Sequence, residues 1–220
     1  MNRENQSEKQ SEKQSEKQSE NSPEVLLIMG SHRANGNSAY LINQLRERLN
    51  HHQVSNEVID INRLNIKHCL DCAYCKDHWG ACVINDDMTN VYALLKKAKT
   101  VVFATPVYFN GVSSKLKVLV DRLQMLFICD FEHKRPFVDV VNRAQKQGYI
   151  LSVGGARRYE HQFIGPEITL KLVFDNLRMP LIQHLTYDNT DRIAVQERPE
   201  VDGNLDEMVK RIMNGENWDE

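Results

Sequence analysis

Four cysteines fall within fourteen residues, in the order Cys69-x2-Cys72-x2-Cys75-x6-Cys82. Four thiolates from one short loop can hold a [4Fe–4S] cubane. The same set suits a structural zinc ion, which accepts four cysteines, or free, reactive thiols capping a neighbouring site. The spacing leaves these three readings open. Cys129 stands apart and reads as a small buried apolar side chain at a helix end. His68, His78 and Trp79, close to the thiols, read as packing or solvent-facing residues rather than ligands.

Three further segments carry binding chemistry. Gly30-Ser31-His32-Arg33-Ala34-Asn35-Gly36-Asn37-Ser38 combines hydroxyls, amides, an arginine and two glycines. Donors and close backbone approach are what a phosphate needs, above all where a helix begins. The segment lacks both the Gly-Lys-Ser/Thr of a P-loop and the G-x-G-x-x-G of a dinucleotide turn, which disfavours triphosphate hydrolysis and a Rossmann site. Pro106-Val107-Tyr108-Phe109-Asn110-Gly111 sets two aromatics side by side. A flat ring system can stack there with Asn110 at its polar edge; the plainer reading packs both aromatics on a sheet or a subunit interface. Ser152-Val153-Gly154-Gly155-Ala156 offers small residues that let backbone amides approach a flat ligand. No nucleophile–base–acid set stands out: Ser113 and Ser114 sit where helix capping is their ordinary role, and the eight histidines are scattered.

These segments need elements to position them. Val25–Met29 is a short apolar run of the kind found in strands buried on both faces. Leu41, Ile42, Leu45 and Leu49 recur at helical spacing, and residues 57–61 form a second strand, so the chain opens as a βαβ unit. Asp86-Asp87 mark an acidic helix start before Met88, Val91, Leu95 and Ala98. Residues 100–105 form a third strand, followed by a helix bearing Val112, Leu116, Leu119, Leu123 and Leu126. A polar, irregular stretch spans 129–147. Strands at 148–153 and 181–187 bracket a helix near 166–178, and 204–213 forms a last helix. This alternation specifies a three-layer α/β protein built on a doubly wound, five-stranded parallel sheet. In such sheets ligands sit at the carboxyl ends of the strands, which is where the three binding segments fall.

The order Gly-Ser-x-Arg-x-x-Gly-Asn-Ser, then Thr-Pro-Val-Tyr-Phe-Asn-Gly, resembles the NADPH-dependent FMN reductase family of flavodoxin-like proteins. The Cys-x-x-Cys-x-x-Cys motif, followed by Cys82 and Asp-Asp-Met, looks closer still to its iron–sulfur flavoprotein branch. The resemblance covers roughly residues 24–190. It implies FMN, with the phosphate at Ser31, Arg33, Asn35, Asn37 and Ser38. It implies the ring and ribityl chain against Pro106, Val107, Tyr108, Phe109, Asn110 and Gly111 and the Gly154-Gly155 loop. Cys69, Cys72, Cys75 and Cys82 would then be the ligands of a [4Fe–4S] cluster. The implied activity is an oxidoreductase in which NAD(P)H reduces FMN and FMN passes electrons to a flavin, quinone or similar small acceptor. The alternative is an iron–sulfur flavoprotein electron carrier fed by a redox protein. Such proteins are often dimers or tetramers. A flavin carries the hard chemistry itself, so the absence of a catalytic triad is no obstacle.

Composition sets the remaining bounds. The chain has 220 residues and a formal net charge of -2, so no basic field invites nucleic acid or an anionic membrane surface. No run of ~18 apolar residues suggests a membrane span, and no apolar stretch precedes Val25 to act as a leader. A reducing, cytoplasmic setting is expected, with the five cysteines as thiols or ligands rather than disulfides. Residues 1–22 repeat Ser-Glu-Lys-Gln at 7–10, 11–14 and 15–18 and bury nothing apolar, so they are expected to be a disordered, low-complexity tail. Residues 23–220 are then a single FMN-binding domain.

Overall fold

A computed structural model describes residues 23–138 and 146–215; the repeat tail lies outside the described residues. Five strands form one sheet: β1 (Val25–Met29), β2 (Asn56–Asp60), β3 (Thr100–Pro106), β4 (Gln147–Val153) and β5 (Leu181–Tyr187). Their order is β2-β1-β3-β4-β5 and every pairing is parallel. Every residue of β1, β3 and β4 is buried. That explains the unbroken apolar run of β1 and the largely apolar middles of β3 and β4: a central parallel strand covered by helices on both faces has no side to leave polar.

Alternate strand residues feed two cores. Val25, Leu27, Val102, Tyr149 and Leu151 pack against α1 (Asn37–His51) and α7 (Glu200–Asn214). Leu26, Ile28, Val101, Phe103 and Ile150 pack against α3 (Met88–Lys97), α4 (Ser114–Arg122), α5 (Gln124–Phe131) and α6 (Ile164–Asn176). A four-residue helix, α2 (Tyr74–Asp77), lies within the cysteine segment. The three-layer architecture expected from the sequence is the one observed. No helix among the described residues is long and apolar enough to cross a membrane.

The periodicity predicts one helix from Val112 through Leu126, but the chain breaks into α4 and α5 at Leu123. The cause is a hydrogen bond. The Tyr92 hydroxyl donates to the carbonyl of Arg122 at 2.6 Å, and the amide of Leu126 turns instead to the carbonyl of Leu123 at 2.8 Å. Ser113 caps α4, its hydroxyl accepting from the amide of Leu116 at 3.3 Å. The same hydroxyl donates to the Gly30 carbonyl, which ties the start of α4 to the end of β1.

Candidate functional site

The strand order reverses direction between β1 and β3, and a crevice opens there beyond the strands' carboxyl ends. It is a cavity of about 690 Å³. Of the thirteen residues the sequence nominates for the cofactor, nine line it: Ser31, Arg33, Asn35, Asn37, Ser38, Pro106, Val107, Tyr108 and Gly155. Two segments far apart in sequence thus face one another across a single space.

The β1–α1 turn forms one end. Gly36 caps α1 without a side-chain bond, and Gly36, Asn37 and Ser38 at the start of that helix line the cavity. The Ser31 hydroxyl accepts from the amide of Arg33 at 3.1 Å and fixes the turn. Ser38 is 2% exposed and its hydroxyl oxygen has no hydrogen-bond partner. A buried polar atom of this kind is uncommon and is expected where a ligand supplies the partner. Asn37 is committed in part: its side-chain oxygen accepts from the amide of Val195 at 3.1 Å, tying α1 to the 3-10 turn Val195–Glu197.

The β3–α4 segment forms the other end, and its geometry departs from the expectation. Tyr108 and Gly111 exchange backbone hydrogen bonds at 3.1 and 2.9 Å, and Phe109 and Asn110 between them have φ of 48° and 59°. Two consecutive positive φ values mark a type I′ turn. The segment is therefore a tiny hairpin. Its tip throws Phe109 fully into solvent, while Asn110 accepts a hydrogen bond from the Tyr159 hydroxyl. Phe109, Asn110 and Gly111 do not line the cavity; Pro106, Val107 and Tyr108 do.

Gly154 is absent from the lining as well. Its amide donates to the Tyr187 carbonyl at 2.8 Å, and its own carbonyl accepts from the amide and hydroxyl of Thr190 at 3.0 and 3.1 Å. It joins the end of β4 to the chain after β5. Gly155 does line the cavity, and a β-carbon there would meet the Asp191 carboxylate at 2.4 Å, so a larger residue would have to push that side chain aside. Thr190, Asp191 and Gln196 complete the wall. Sequence reasoning missed all three, although Asp188-Asn189-Thr190-Asp191 is a polar cluster directly after the fifth strand.

The four thiols surround a second, much smaller cavity of about 40 Å³. Cys72 is exposed, and Cys69, Cys75 and Cys82 are half-buried. Burial pushes the Cys75 thiol above its ordinary pKa, and the other three cysteines reinforce the shift. Among the described residues no three His, Cys, Asp or Glu side chains are gathered closely enough to hold one metal ion. The four thiols line one space without converging on a point, and four cysteines are the donor set that a [4Fe–4S] cluster or a zinc ion takes. The loop is held in an unusual shape: Asp71 and Ala73, on either side of Cys72, have φ of 47° and 58°. Such conformations cost about 1–3 kcal/mol each and collect at functional sites. The flanking side chains behave as expected. His78 stacks on Tyr74 with ring centres 3.9 Å apart, and the Trp79 indole donates to the Arg135 carbonyl at 2.8 Å. Cys129 is fully buried.

A doubly wound parallel sheet with a phosphate-type turn and a small hairpin facing each other at its switch point defines the flavodoxin-like class. Within it, the chain belongs to the NADPH-dependent FMN reductase family, whose sequence profile matches residues 23–189. It is 33% identical over 105 residues to an iron–sulfur flavoprotein of Methanocaldococcus jannaschii, a match spanning 48% of this chain and 54%, about half, of that relative. A second iron–sulfur flavoprotein of the same organism is 32% identical over 155 residues, 69% of each chain. Among solved structures, an FMN-dependent NADH-azoreductase from Bacillus anthracis in complex with FMN superposes with a TM-score of 0.61 at 13% identity, covering 86% of this chain and 98% of the other.

Proposed function

We propose that the switch-point cavity binds FMN, and that the protein uses it to carry electrons from NAD(P)H to a small acceptor such as a flavin or quinone. The observation that carries this reading is the orphaned Ser38 hydroxyl. It sits buried at the first turn of α1, beside Arg33, in the same cavity as Pro106, Val107 and Tyr108. A phosphate monoester brings close to two negative charges and several acceptor oxygens. The turn answers with a hydroxyl, a guanidinium and the positive end of a helix. Ser31, Asn35 and Asn37 complete this end. At the other end Tyr108 and Pro106 offer flat apolar surface, and Gly155 admits close backbone approach. Phe109, Asn110, Gly111 and Gly154 serve as supports: they set the hairpin and weld the strand ends. Bound FMN supplies the redox chemistry, accepting hydride and releasing electrons. The phosphate-type turn and Pro106, Val107 and Tyr108 would hold and orient it.

A second reading is favoured by the ring of thiols. With an iron–sulfur cluster on Cys69, Cys72, Cys75 and Cys82, the protein becomes an electron carrier supplied by a redox protein. Either way we place the chain in the reducing cytoplasm, as a single domain with residues 1–22 as an appended tail. A homo-oligomer, dimer or tetramer, is supported by the apolar stripe Ile164, Ile168 and Leu172 left exposed along α6, with Phe127 and Phe131 beside it.

Two measurements test this. Flavin titration of Ser38→Ala should show FMN affinity weakened at least tenfold, in line with ~1.5–3 kcal/mol for a hydrogen bond to a charged group. The ligand-free variant should melt no lower than the parent, because the hydroxyl has no protein partner to lose. Unchanged affinity would overturn the phosphate assignment. Anaerobic NADPH or NADH should bleach the FMN-loaded protein. Persistence of the yellow colour in excess of both would leave the electron-carrier reading in its place.

A further inference from the structure

Arg122 is 2% exposed, on α4. An arginine is almost never fully buried unless it is paired. Asp86 pairs with it bidentately, Oδ2 to Nη1 at 2.6 Å and Oδ1 to Nη2 at 3.2 Å. Nη1 also donates to the Lys67 carbonyl at 2.8 Å, and Nη2 to the Ile84 carbonyl at 3.4 Å. Lys67 precedes the first of the four cysteines, and Ile84 and Asp86 follow the last. One guanidinium therefore clasps both ends of the cysteine segment.

Structural clasping does not use the whole side chain. Nη2 has two hydrogens for three acceptors: beyond Asp86 Oδ1, it shares one between the Ile84 carbonyl at 3.4 Å and the Cys82 sulfur at 3.5 Å. Nε is buried with no partner at all. Both groups belong to a side chain that lines the same small cavity as the four thiols. An unmet buried donor costs about 1–3 kcal/mol, and such groups persist where an acceptor is supplied from outside the protein. The four sulfurs line this cavity with Arg122, beside Asp71 and Gln124, and a sulfur becomes a good acceptor only as a thiolate.

We infer that Arg122 is a positioning residue for an iron–sulfur cluster held by Cys69, Cys72, Cys75 and Cys82, donating to the Cys82 sulfur and raising the cluster's reduction potential. The inference rests on the cluster reading of the four thiols. Hydrogen bonds to cluster sulfurs and nearby positive charge favour the reduced form, because reduction adds negative charge. Asp86 balances most of the formal charge, so the directed N–H to sulfur bond is the larger part of the effect.

The test is redox potentiometry on full-length protein, reconstituted anaerobically with iron and sulfide and loaded with FMN. Arg122→Lys keeps the charge opposite Asp86 but loses the fork that reaches Cys82. It should hold the same iron and flavin per chain, with a reduction equilibrium shifted about tenfold toward the oxidised cluster, ~59 mV for one electron. The doubly neutral D86N/R122Q variant should shift in the same direction. Wild-type protein that takes up no iron overturns the cluster reading and this inference with it. Iron-loaded variants with an unchanged potential overturn the inference alone. If both variants lose iron but retain flavin and melting temperature, the positioning role stands. If they lose flavin and fold as well, Arg122 is only a structural staple and the inference falls.

Discussion

A β-carbon on residue 165 would lie 1.8 Å from the carbonyl oxygen of Asn110, so Gly165 and the tip of the β3–α4 hairpin are in backbone contact. Two effects oppose each other in Gly165→Ala. Helix propensity favours alanine by at most ~1 kcal/mol, and less near the start of α6. Overpacking against a fixed backbone costs about 1–3 kcal/mol. The clash wins. The hairpin must move, and Tyr108, paired with Gly111 across it, moves with it. Gly165→Ala is expected to lower the melting temperature and weaken FMN binding several-fold; calorimetry and flavin titration on one preparation check both.

Arg33 should act on the phosphate and on nothing else. It is exposed, at the rim of the α1 end of the cavity. Arg33→Ala is expected to reduce FMN affinity by ~1.5–3 kcal/mol, roughly 10–150-fold, the range for a charge-assisted hydrogen bond. Riboflavin, which has the ring but no phosphate, should bind parent and variant equally. An equal loss for both ligands would place Arg33 against the ring instead.

His184 gives the fold a pH dependence. It lies on β5, its Nε2 2.9 Å from the Ser152 hydroxyl and its Nδ1 3.2 Å from Glu167 on α6. Burial pushes its pKa below the ordinary histidine value, and nearby Arg158 adds to that, while Glu167 opposes it without prevailing. The folded protein therefore binds this proton less readily than the unfolded chain does. Stability contributed by the neutral ring is complete above the unfolded value of about 6.5. It declines as the pH falls below that, toward the lower folded value. Melting temperature should drop between pH 7.5 and pH 5, and His184→Gln should flatten that drop. An equally steep profile in the variant would assign the effect to other groups.

The architecture was legible because the apolar pattern follows from the physics of covered sheets. Val25–Met29 is apolar throughout, and residues 101–104 are too, because both faces of these strands are buried. The phosphate-type turn was legible because its chemistry is local: Ser31 through Ser38 are contiguous. What escaped is non-local. Thr190, Asp191 and Gln196 reach the cavity only because the chain after β5 is stitched to Gly154 and Gly155. The outward turn at Phe109 escaped because two aromatics invite stacking, whereas the Asn110-Gly111 step that follows signals a reversal. The pairing of Asp86 with Arg122 spans 36 residues. Its one trace in the sequence is a cation set among Leu116, Leu119, Leu123 and Leu126 on an otherwise buried face, and Asp86 was read instead as a helix-start residue. It does serve there too, accepting from the amide of Met88 at 3.1 Å.

That pair yields the strongest stability prediction. Both side chains are 1% exposed. Burial alone would raise the Asp86 pKa, yet hydrogen bonds from Arg122 and from the amides of Lys67 and Met88 hold it below the usual carboxylate range. The folded state thus resists protonation. The stability it provides is present above the unfolded value near 3.9 and is lost as the pH falls through the lower folded value. Asp86→Ala leaves the Arg122 cation buried without its partner, which costs about 3–5 kcal/mol. Arg122→Gln alone strands the carboxylate and should cost a similar amount. Replacing both, as Asn and Gln, removes the charges together and keeps the hydrogen-bonding shape. A double-mutant cycle of Asp86→Asn, Arg122→Gln and their combination, followed by urea unfolding, should therefore give a combined loss well below the sum of the two single losses. Strict additivity would mean the two groups are screened from each other, contrary to their 2.6 Å contact.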